Sequence, residues 1–303
     1  SAASDVYKRQ PINLKFRLLA KFELKNMKIA IIGYGKMGRM IERIAKERGH
    51  DISVIVDAEN AVDIDSKAFR KSDVAIEFTC PSSAVNNILK CFSAEIPVVC
   101  GTTGWLDSLQ AVKSVCDSGK GTLLYSSNFS VGVNVFEAVS RYLTKIMNGY
   151  PQYVPSMEEV HHIHKLDHPS GTAITIAEQL IAGSDRIGSW KEADIKVPVY
   201  ADVEGERVLV EEVGVAGEEP KKDTLYISHR REGEVPGIHT VTWDSPQDTI
   251  TISHSAKSRD GFALGAVLAA EWLFNKTRKP KIAGIKFGHP QPGFFTAADM
   301  YKF

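Results

Sequence analysis

Lys28-Ile29-Ala30-Ile31-Ile32-Gly33-Tyr34-Gly35-Lys36-Met37-Gly38 begins where the hydropathy pattern first becomes regular. The first five residues, apolar after Lys28, read as a buried strand. A Gly-x-Gly-x-x-Gly turn follows at once. An amphipathic helix comes next, with Met40, Ile41, Ile44 and Ala45 on one face and Arg39, Glu42, Arg43 and Lys46 on the other. Glycine at 33 permits a tight turn, and glycine at 35 lets the backbone approach a pyrophosphate. Glycine at 38 allows close helix-on-strand packing, while the helix N-terminus favours phosphate charge. The motif alone is a weak signal; the strand before it, the helix after it and Asp57 at the end of the next strand supply its context. The expected dinucleotide residues are therefore Gly33, Tyr34, Gly35, Lys36, Met37 and Gly38, with Asp57 placed for the ribose hydroxyls. A carboxylate there favours NADH because it would repel a 2′-phosphate; Lys36 and Arg39 leave NADPH open. The competing readings are an ordinary Gly-rich turn and a strand-end turn carboxylate.

Outward from this stretch, β-branched runs at 52–56, 74–78, 98–100 and 123–125 alternate with helical patterns from Ser82 and across 106–117. Such alternation predicts βαβ units and a parallel, Rossmann-type sheet. After about residue 130 the texture changes. Strands are expected at 157–162, 196–200, 208–215, 224–228, 237–243 and 249–254, with a helix over 171–182 and a last apolar helix over 262–274. The fold class is α/β, with a second α+β domain built on an open mixed or antiparallel sheet. The expected division is 27–130 for the dinucleotide domain, rejoined by 258–303, and 131–257 for a substrate domain. Residues 1–26 are expected to be a non-native or disordered extension, with the native start at Met27. Asp5-Val6-Tyr7-Lys8-Arg9-Gln10 is what the DNA string GAT-GTG-TAT-AAG-AGA-CAG would encode, which resembles a sequencing-library adapter.

Bulk properties narrow the function. The chain has 303 residues, 43% hydrophobic and 24% charged, ordinary for a soluble globular protein able to bury a large core. Net charge is zero and the pI about 7.1, so no basic nucleic-acid surface is implied. No apolar run approaches the roughly 18–20 residues that span a bilayer. Cys80, Cys91, Cys100 and Cys116 form no Cys-x-x-Cys pair and are expected to be buried, reduced thiols of a cytoplasmic protein.

Four of the nine histidines fall in Glu158-Glu159-Val160-His161-His162-Ile163-His164-Lys165-Leu166-Asp167-His168-Pro169-Ser170-Gly171-Thr172-Ala173. On a strand, His161 and Ile163 share one face and His162 and His164 the other, so they act together only if the strand ends near His164. Ser170-Gly171-Thr172 after Pro169 looks like a helix start, whose free amides beside Lys165 would make a carboxylate site. A histidine can exchange a proton near neutral pH. His-x-His spacing at 162 and 164 also suits a metal, but no later carboxylate or cysteine cluster completes a site, and none is expected. A solvated histidine-rich turn is the other reading.

The same segment resembles the signature Glu-x-His-His-x-x-Lys-x-Asp-x-Pro-Ser-Gly-Thr-Ala of the 4-hydroxy-tetrahydrodipicolinate (dihydrodipicolinate) reductases of lysine and diaminopimelate biosynthesis. Gly33 to Gly38, Gly101-Thr102-Thr103 and Ser126-Ser127-Asn128-Phe129-Ser130-Val131-Gly132-Val133-Asn134 match in the same order. The resemblance implies that His161 handles a proton, with Lys165 a proton donor, and that His162, Ser170, Gly171 and Thr172 bind substrate carboxylate. It implies that Gly101, Thr102, Thr103, Ser126, Ser127, Asn128 and Phe129 line the nicotinamide side. It further implies a cytoplasmic homotetramer joined through the second sheet and acting on a small dicarboxylate, with no nucleic-acid or membrane partner. Asp57-Ala58 departs from the family's acidic-then-basic pair, the Gly-rich loop is a residue shorter, and 279–303 has no assignment. The alternatives are another two-domain Rossmann reductase, which a catalytic cysteine would mark in the semialdehyde type, or a non-catalytic dinucleotide sensor.

Overall fold

Strand β1 (Lys28–Ile32) alternates its side chains between two cores. Ile29 and Ile31 join one buried cluster, Ala30 and Ile32 the other, so the strand is covered on both faces. Such burial is the mark of a parallel sheet with helices on each side. The computed structural model describes residues 26–193, 197–203, 206–213, 221, 223–277 and 292–302, with the backbone alone for 197–203 and 206–213. The expected N-terminal extension before residue 26 and most of the unassigned tail lie outside the described residues.

β1 pairs in parallel with both β2 (Asp51–Val56) and β3 (Val74–Glu77). β4 (Val98–Cys100) and β5 (Thr122–Tyr125) extend the sheet beyond β3. Helices α1 (Lys36–Glu47), α2 (Pro81–Ser93) and α3 (Leu109–Asp117) connect them. The chain crosses to opposite sides of β1 to form β2 and β3, so the strand order reverses there. The loops after β1, β3, β4 and β5 gather at the carboxyl edge of that reversal, where ligands bind in such sheets.

Helix α4 (Val131–Met147) leads out of this sheet, capped by the Ser130 hydroxyl on the Val133 amide at 3.4 Å. Sequence reading does not single it out. Then come β6 (Val154–His161), α5 (Gly171–Gly183), β7 (Ser189–Glu192), an antiparallel ribbon of β8 (Val197–Val203) and β9 (Glu206–Val213), then β10 (Thr224–Arg231), β11 (Ile238–Asp244) and β12 (Thr249–Ser255). The second sheet runs β12-β11-β6-β10-β7 and is mixed. β11 is antiparallel to both neighbours, whereas β10 is parallel to β6 and β7. One core joins α4 and α5 to this sheet through Phe136, Ile176, Leu225, Ile227, Val241 and Trp243.

Helix α6 (Asp260–Thr277) returns to the first sheet and packs on α1, β3 and β4. β13 (Gly293–Thr296) then pairs in parallel with β5 as the sixth strand, and α7 (Ala297–Tyr301) ends the described chain. Part of the unassigned tail is thus an edge strand of the dinucleotide sheet. The cysteines are free thiols, but Cys80 departs from the expected burial. It occupies the N-cap of α2 ahead of Pro81, outside both cores. Hydroxyls of Ser82 and Ser83, at 3.3 and 3.4 Å, hold its thiol below the usual range.

Gly265 fixes how closely α6 approaches the loop after β5. A Cβ there would lie 1.6 Å from the Phe129 carbonyl oxygen. Alanine gains about 1 kcal/mol of helix propensity over glycine, but overpacking costs about 1–3 kcal/mol, and a backbone carbonyl cannot rotate aside. Gly265→Ala is therefore expected to lower the melting temperature by several degrees in calorimetry; an equal or higher value would contradict this packing.

Candidate active site

The Gly-rich turn shows why glycine stands at 33 and 38. Gly33 takes φ +92°, and its amide donates to the Val56 carbonyl at 2.8 Å. A Cβ on Gly33 would sit 2.0 Å from the Phe78 carbonyl oxygen, and one on Gly38 would sit 2.1 Å from the Gly33 carbonyl oxygen. Gly35 is different: it is exposed, with nothing within 4 Å of a Cβ position. It is the N-cap of α1, and no side chain caps the helix amides. The turn is thus closed by packing at 33 and 38 and open at 35, as a phosphate cradle requires.

Beside it, the Tyr34 hydroxyl donates to Glu42, and the Arg39 guanidinium lies 4.7 Å from the Tyr34 ring centre. Asp57 is exposed and caps a 3-10 turn, Ala58–Asp65, reciprocally with Asn60; its amide donates to Asn60 Oδ1 at 2.6 Å. The sequence offered both a ribose carboxylate and a turn carboxylate, and the second duty is plainly present.

A cleft of about 650 Å³ opens between the two sheets. Met37, Thr103, Ser127, Asn128 and Phe129 line its first-sheet side; His161, His162, Lys165, Ser170, Gly171 and Thr172 line the other. The remaining expected residues support it instead. A Cβ at Gly101 would meet the Phe78 ring at 2.1 Å. Thr102 is buried; its hydroxyl accepts from the Thr79 amide at 2.8 Å, and its carbonyl accepts from the Trp105 indole at 2.7 Å. Ser126 folds its hydroxyl back on Asn128 at 2.7 Å. Among the described residues, sequence reading missed Phe78, Tyr125, Glu137, Arg259 and Phe262, which also line the cleft. Glu137 is largely buried, which pushes its carboxyl above the usual range despite a hydrogen bond from Gln179.

The substrate-side geometry turns on where β6 stops. It ends at His161, so His162 enters a turn in which the Lys165 amide donates to its carbonyl at 3.1 Å. The alternation that would separate His161 from His162 ends there, and both reach the cleft. His164 instead points to Glu234 at 3.1 Å on the exposed surface, and His168 to Glu192 at 2.6 Å.

Glu159, two residues before His161 on the same strand face, is fully buried. Its two oxygens accept the Ser170 amide at 3.1 Å each. His161 Nδ1 lies 3.5 Å away, His239 Nε2 3.7 Å and Arg231 Nη2 3.4 Å. Arg231 also donates to the carbonyls of Lys165 at 3.0 Å and Asp167 at 2.7 Å, which fastens the loop carrying Lys165. Ser170 caps α5 through the Ala173 amide at 3.2 Å, and its hydroxyl lies 3.3 Å from His239. Lys165 Nζ reaches both Asp167 oxygens at 2.7 Å, and this bond holds the Asp167 carboxyl below its usual range.

Burial drives His161 below the ordinary histidine value despite Glu159; Lys165, Arg231 and His162 push the same way. Burial, then His161, pulls His239 down to about 3. Both imidazoles are therefore neutral at pH 7. Next to them stand the Lys165 ammonium and the first amides of α5, a set that can hold an anion and move a proton beside it.

Comparison with known proteins agrees with this organisation. Residues 27–129 match the family model for the dihydrodipicolinate reductase N-terminus, and residues 132–286 match that for its C-terminus. A 4-hydroxy-tetrahydrodipicolinate reductase from Christiangramia forsetii is 43% identical over 253 residues, 83% of this chain and 94% of the relative. One from Lawsonia intracellularis is 30% identical over 267 residues, 83% and 95% of the two chains. A dipicolinate-bound dihydrodipicolinate reductase from Paenisporosarcina sp. TG-14 shares the fold at TM-score 0.59 and 18% identity, over 90% of this chain and 98% of that one.

The buried histidines set a pH dependence of stability. His161 and His239 bind protons less readily folded than unfolded, and His229 and His254 are lowered in the same sense. The unfolded chain therefore takes up more protons below the ordinary value of 6.5. Stability is full above that value and falls with acidification, by up to about 1.4 kcal/mol per pH unit for each histidine. Urea unfolding at pH 7.5, 6 and 5 is expected to show this decline, with a shallower slope for His239→Asn. A flat profile would contradict it.

Proposed function

The chain belongs to the dihydrodipicolinate reductase family, and from that premise we propose that it reduces 4-hydroxy-2,3,4,5-tetrahydrodipicolinate to tetrahydrodipicolinate with loss of water and consumption of a reduced nicotinamide cofactor. One observation carries the reading. His161, Lys165 and the α5 amides face the Met37, Asn128 and Phe129 wall across a single cleft. A dinucleotide sensor has no use for a proton donor and an anion site at that place. A semialdehyde-type reductase would need a cysteine in the cleft, and its lining residues include none.

Gly33, Gly35 and Gly38 fit a dinucleotide, since the exposed Gly35 leaves the backbone open where a pyrophosphate would approach. Bound there, the cofactor would supply the hydride. Gly33 to Gly38 would hold its phosphates and Asp57 its ribose, which favours NADH over NADPH. Met37, Thr103, Ser127, Asn128 and Phe129 would shape the nicotinamide end.

On the substrate side, the Ser170 amide is engaged by Glu159 and its hydroxyl by Ala173 and His239. Ser170 thus positions the helix start, and carboxylate capture falls to the Gly171 and Thr172 amides with Lys165 and His162. An arriving dicarboxylate would compete with Asp167 for the Lys165 ammonium. Kept neutral by burial, His161 would be the base that takes the ring C–H proton as the hydroxyl leaves as water with a proton from the Lys165 ammonium, and would return its proton to that ring carbon when hydride adds beside it. Fixing the ring between these groups is the positioning contribution to rate. We take 27–130 with 258–303 as the dinucleotide unit and 131–257 as the substrate unit. We also take the uncovered face of the second sheet to join a cytoplasmic homotetramer.

The test is the product of 4-hydroxy-tetrahydrodipicolinate synthase added to enzyme with NADH or NADPH, following absorbance loss. His161→Gln is expected to lower kcat by about 10²–10⁴-fold with KM little changed. Lys165→Ala should also raise KM, through loss of a carboxylate contact. Wild-type turnover in both variants would overturn the assignment. Fluorescence titration should give tighter NADH than NADPH binding; the reverse order would remove Asp57 from the ribose site.

A further inference from the structure

Behind the loop that carries Lys165 lies a second cluster that the reductase chemistry does not use. His168 Nδ1 lies 2.6 Å and His229 Nδ1 2.7 Å from the same oxygen, Glu192 Oε1. The two imidazole rings stack at 4.3 Å, inclined by 18°. We propose that His168, Glu192 and His229 form a binding site for a divalent transition ion of the zinc class, distinct from the catalytic cleft.

The strands explain why these side chains meet. β10 sends Leu225, Ile227 and His229 to one face, and β7 sends Trp190 and Glu192 to the same face, since Ile227 pairs with Glu192 in register. Leu225 and Ile227 belong to the core beneath the second sheet, with Trp190 packed against it. His229 and Glu192 therefore take inward-facing positions where that core ends, and His168 closes over them from the loop ahead of α5. Polar groups in such places are ordinarily paired. Yet His229 Nδ1 is buried and makes no hydrogen bond, although Oε1 is 2.7 Å away; the two are poorly aligned for one.

Two imidazoles and a carboxylate suit zinc, cobalt, nickel or copper rather than calcium or magnesium. The three ligand atoms lie within 4.8 Å of one another. Around a tetrahedral ion with bonds near 2.0 Å such atoms stand about 3.3 Å apart. Entry of the ion therefore spreads each imidazole nitrogen from the Glu192 oxygen, now at 2.6 and 2.7 Å, by about 0.6–0.7 Å, which the partly exposed Glu192 can accommodate by rotation. Beyond the three ligands, the nearby Arg231 charge opposes the ion and the Glu159 carboxylate favours it. The other such trio among the described residues, Glu159 with His161 and His239, is already occupied by the Ser170 amide and Arg231. An ion on His168 would tie the Lys165 loop to β7 and β10.

The test is zinc titration of tag-free protein against a chromophoric chelator, in a Cys80→Ser background that removes the exposed thiol. One equivalent of zinc is expected to bind. His168→Ala, His229→Ala and Glu192→Gln should each weaken it by at least about tenfold, with His164→Ala neutral. The fallback uses unmutated protein: the copper(II) electron paramagnetic resonance spectrum should show two coordinated imidazole nitrogens. No stoichiometric zinc binding, equal affinity in the folded His168→Ala and His229→Ala variants, or copper bound without two imidazoles would overturn the site.

Discussion

A single buried carboxylate, Glu159, holds the cleft together. A charge with no solvent access persists only if its oxygens are matched by donors and cations. Glu159 meets this with the Ser170 amide and Arg231, and the His161 and His239 imidazoles pack against it at 3.5 and 3.7 Å. Each partner belongs to a different piece of the site: the start of α5, the end of β10, β6 itself and β11. Satisfying one carboxylate therefore sets the positions of His161, the first amides of α5 and the Lys165 loop at once.

The dinucleotide side is built on the opposite principle, close approach of backbone rather than buried charge. Gly33, Gly38, Gly101 and Gly265 each stand where a Cβ would strike a carbonyl or an aromatic ring. Their absence of side chains draws the turn after β1, the loop after β4 and helix α6 onto Phe78 and Phe129, whose rings lie 6.0 Å apart. The two walls face each other because α6 carries the chain back to the first sheet after the second is complete.

Local signals in the sequence were legible, and distant ones were not. The Gly-rich turn and the histidine-lysine segment are contiguous, and residues of both line the same cleft. Glu159 could have been found from the two-residue strand period alone, since it shares a face with His161. Arg231 and His239 could not: they reach the site by strand pairing across some seventy residues of chain. Helix α4 was hidden because Val131, Val133 and Val135 mimic strand alternation, while Ser140 and Thr144 dilute its buried stripe. β7, Ser-Trp-Lys-Glu, and β13, Gly-Phe-Phe-Thr, lack the apolar run that marks the equally short β3 and β5. The mixed character of the second sheet depends on how β10 pairs, which composition does not encode.

The central claim is that the Glu159 charge, and not merely its shape, organises the site. Glu159→Gln keeps the size and removes the charge, leaving Arg231 and two imidazoles around a neutral amide. The most direct measurement is kcat/KM for this variant alongside its unfolding free energy. The account predicts a fall in kcat/KM of about 10²-fold or more together with a loss of roughly 3 kcal/mol of stability. Wild-type catalysis and wild-type stability in Glu159→Gln would contradict it.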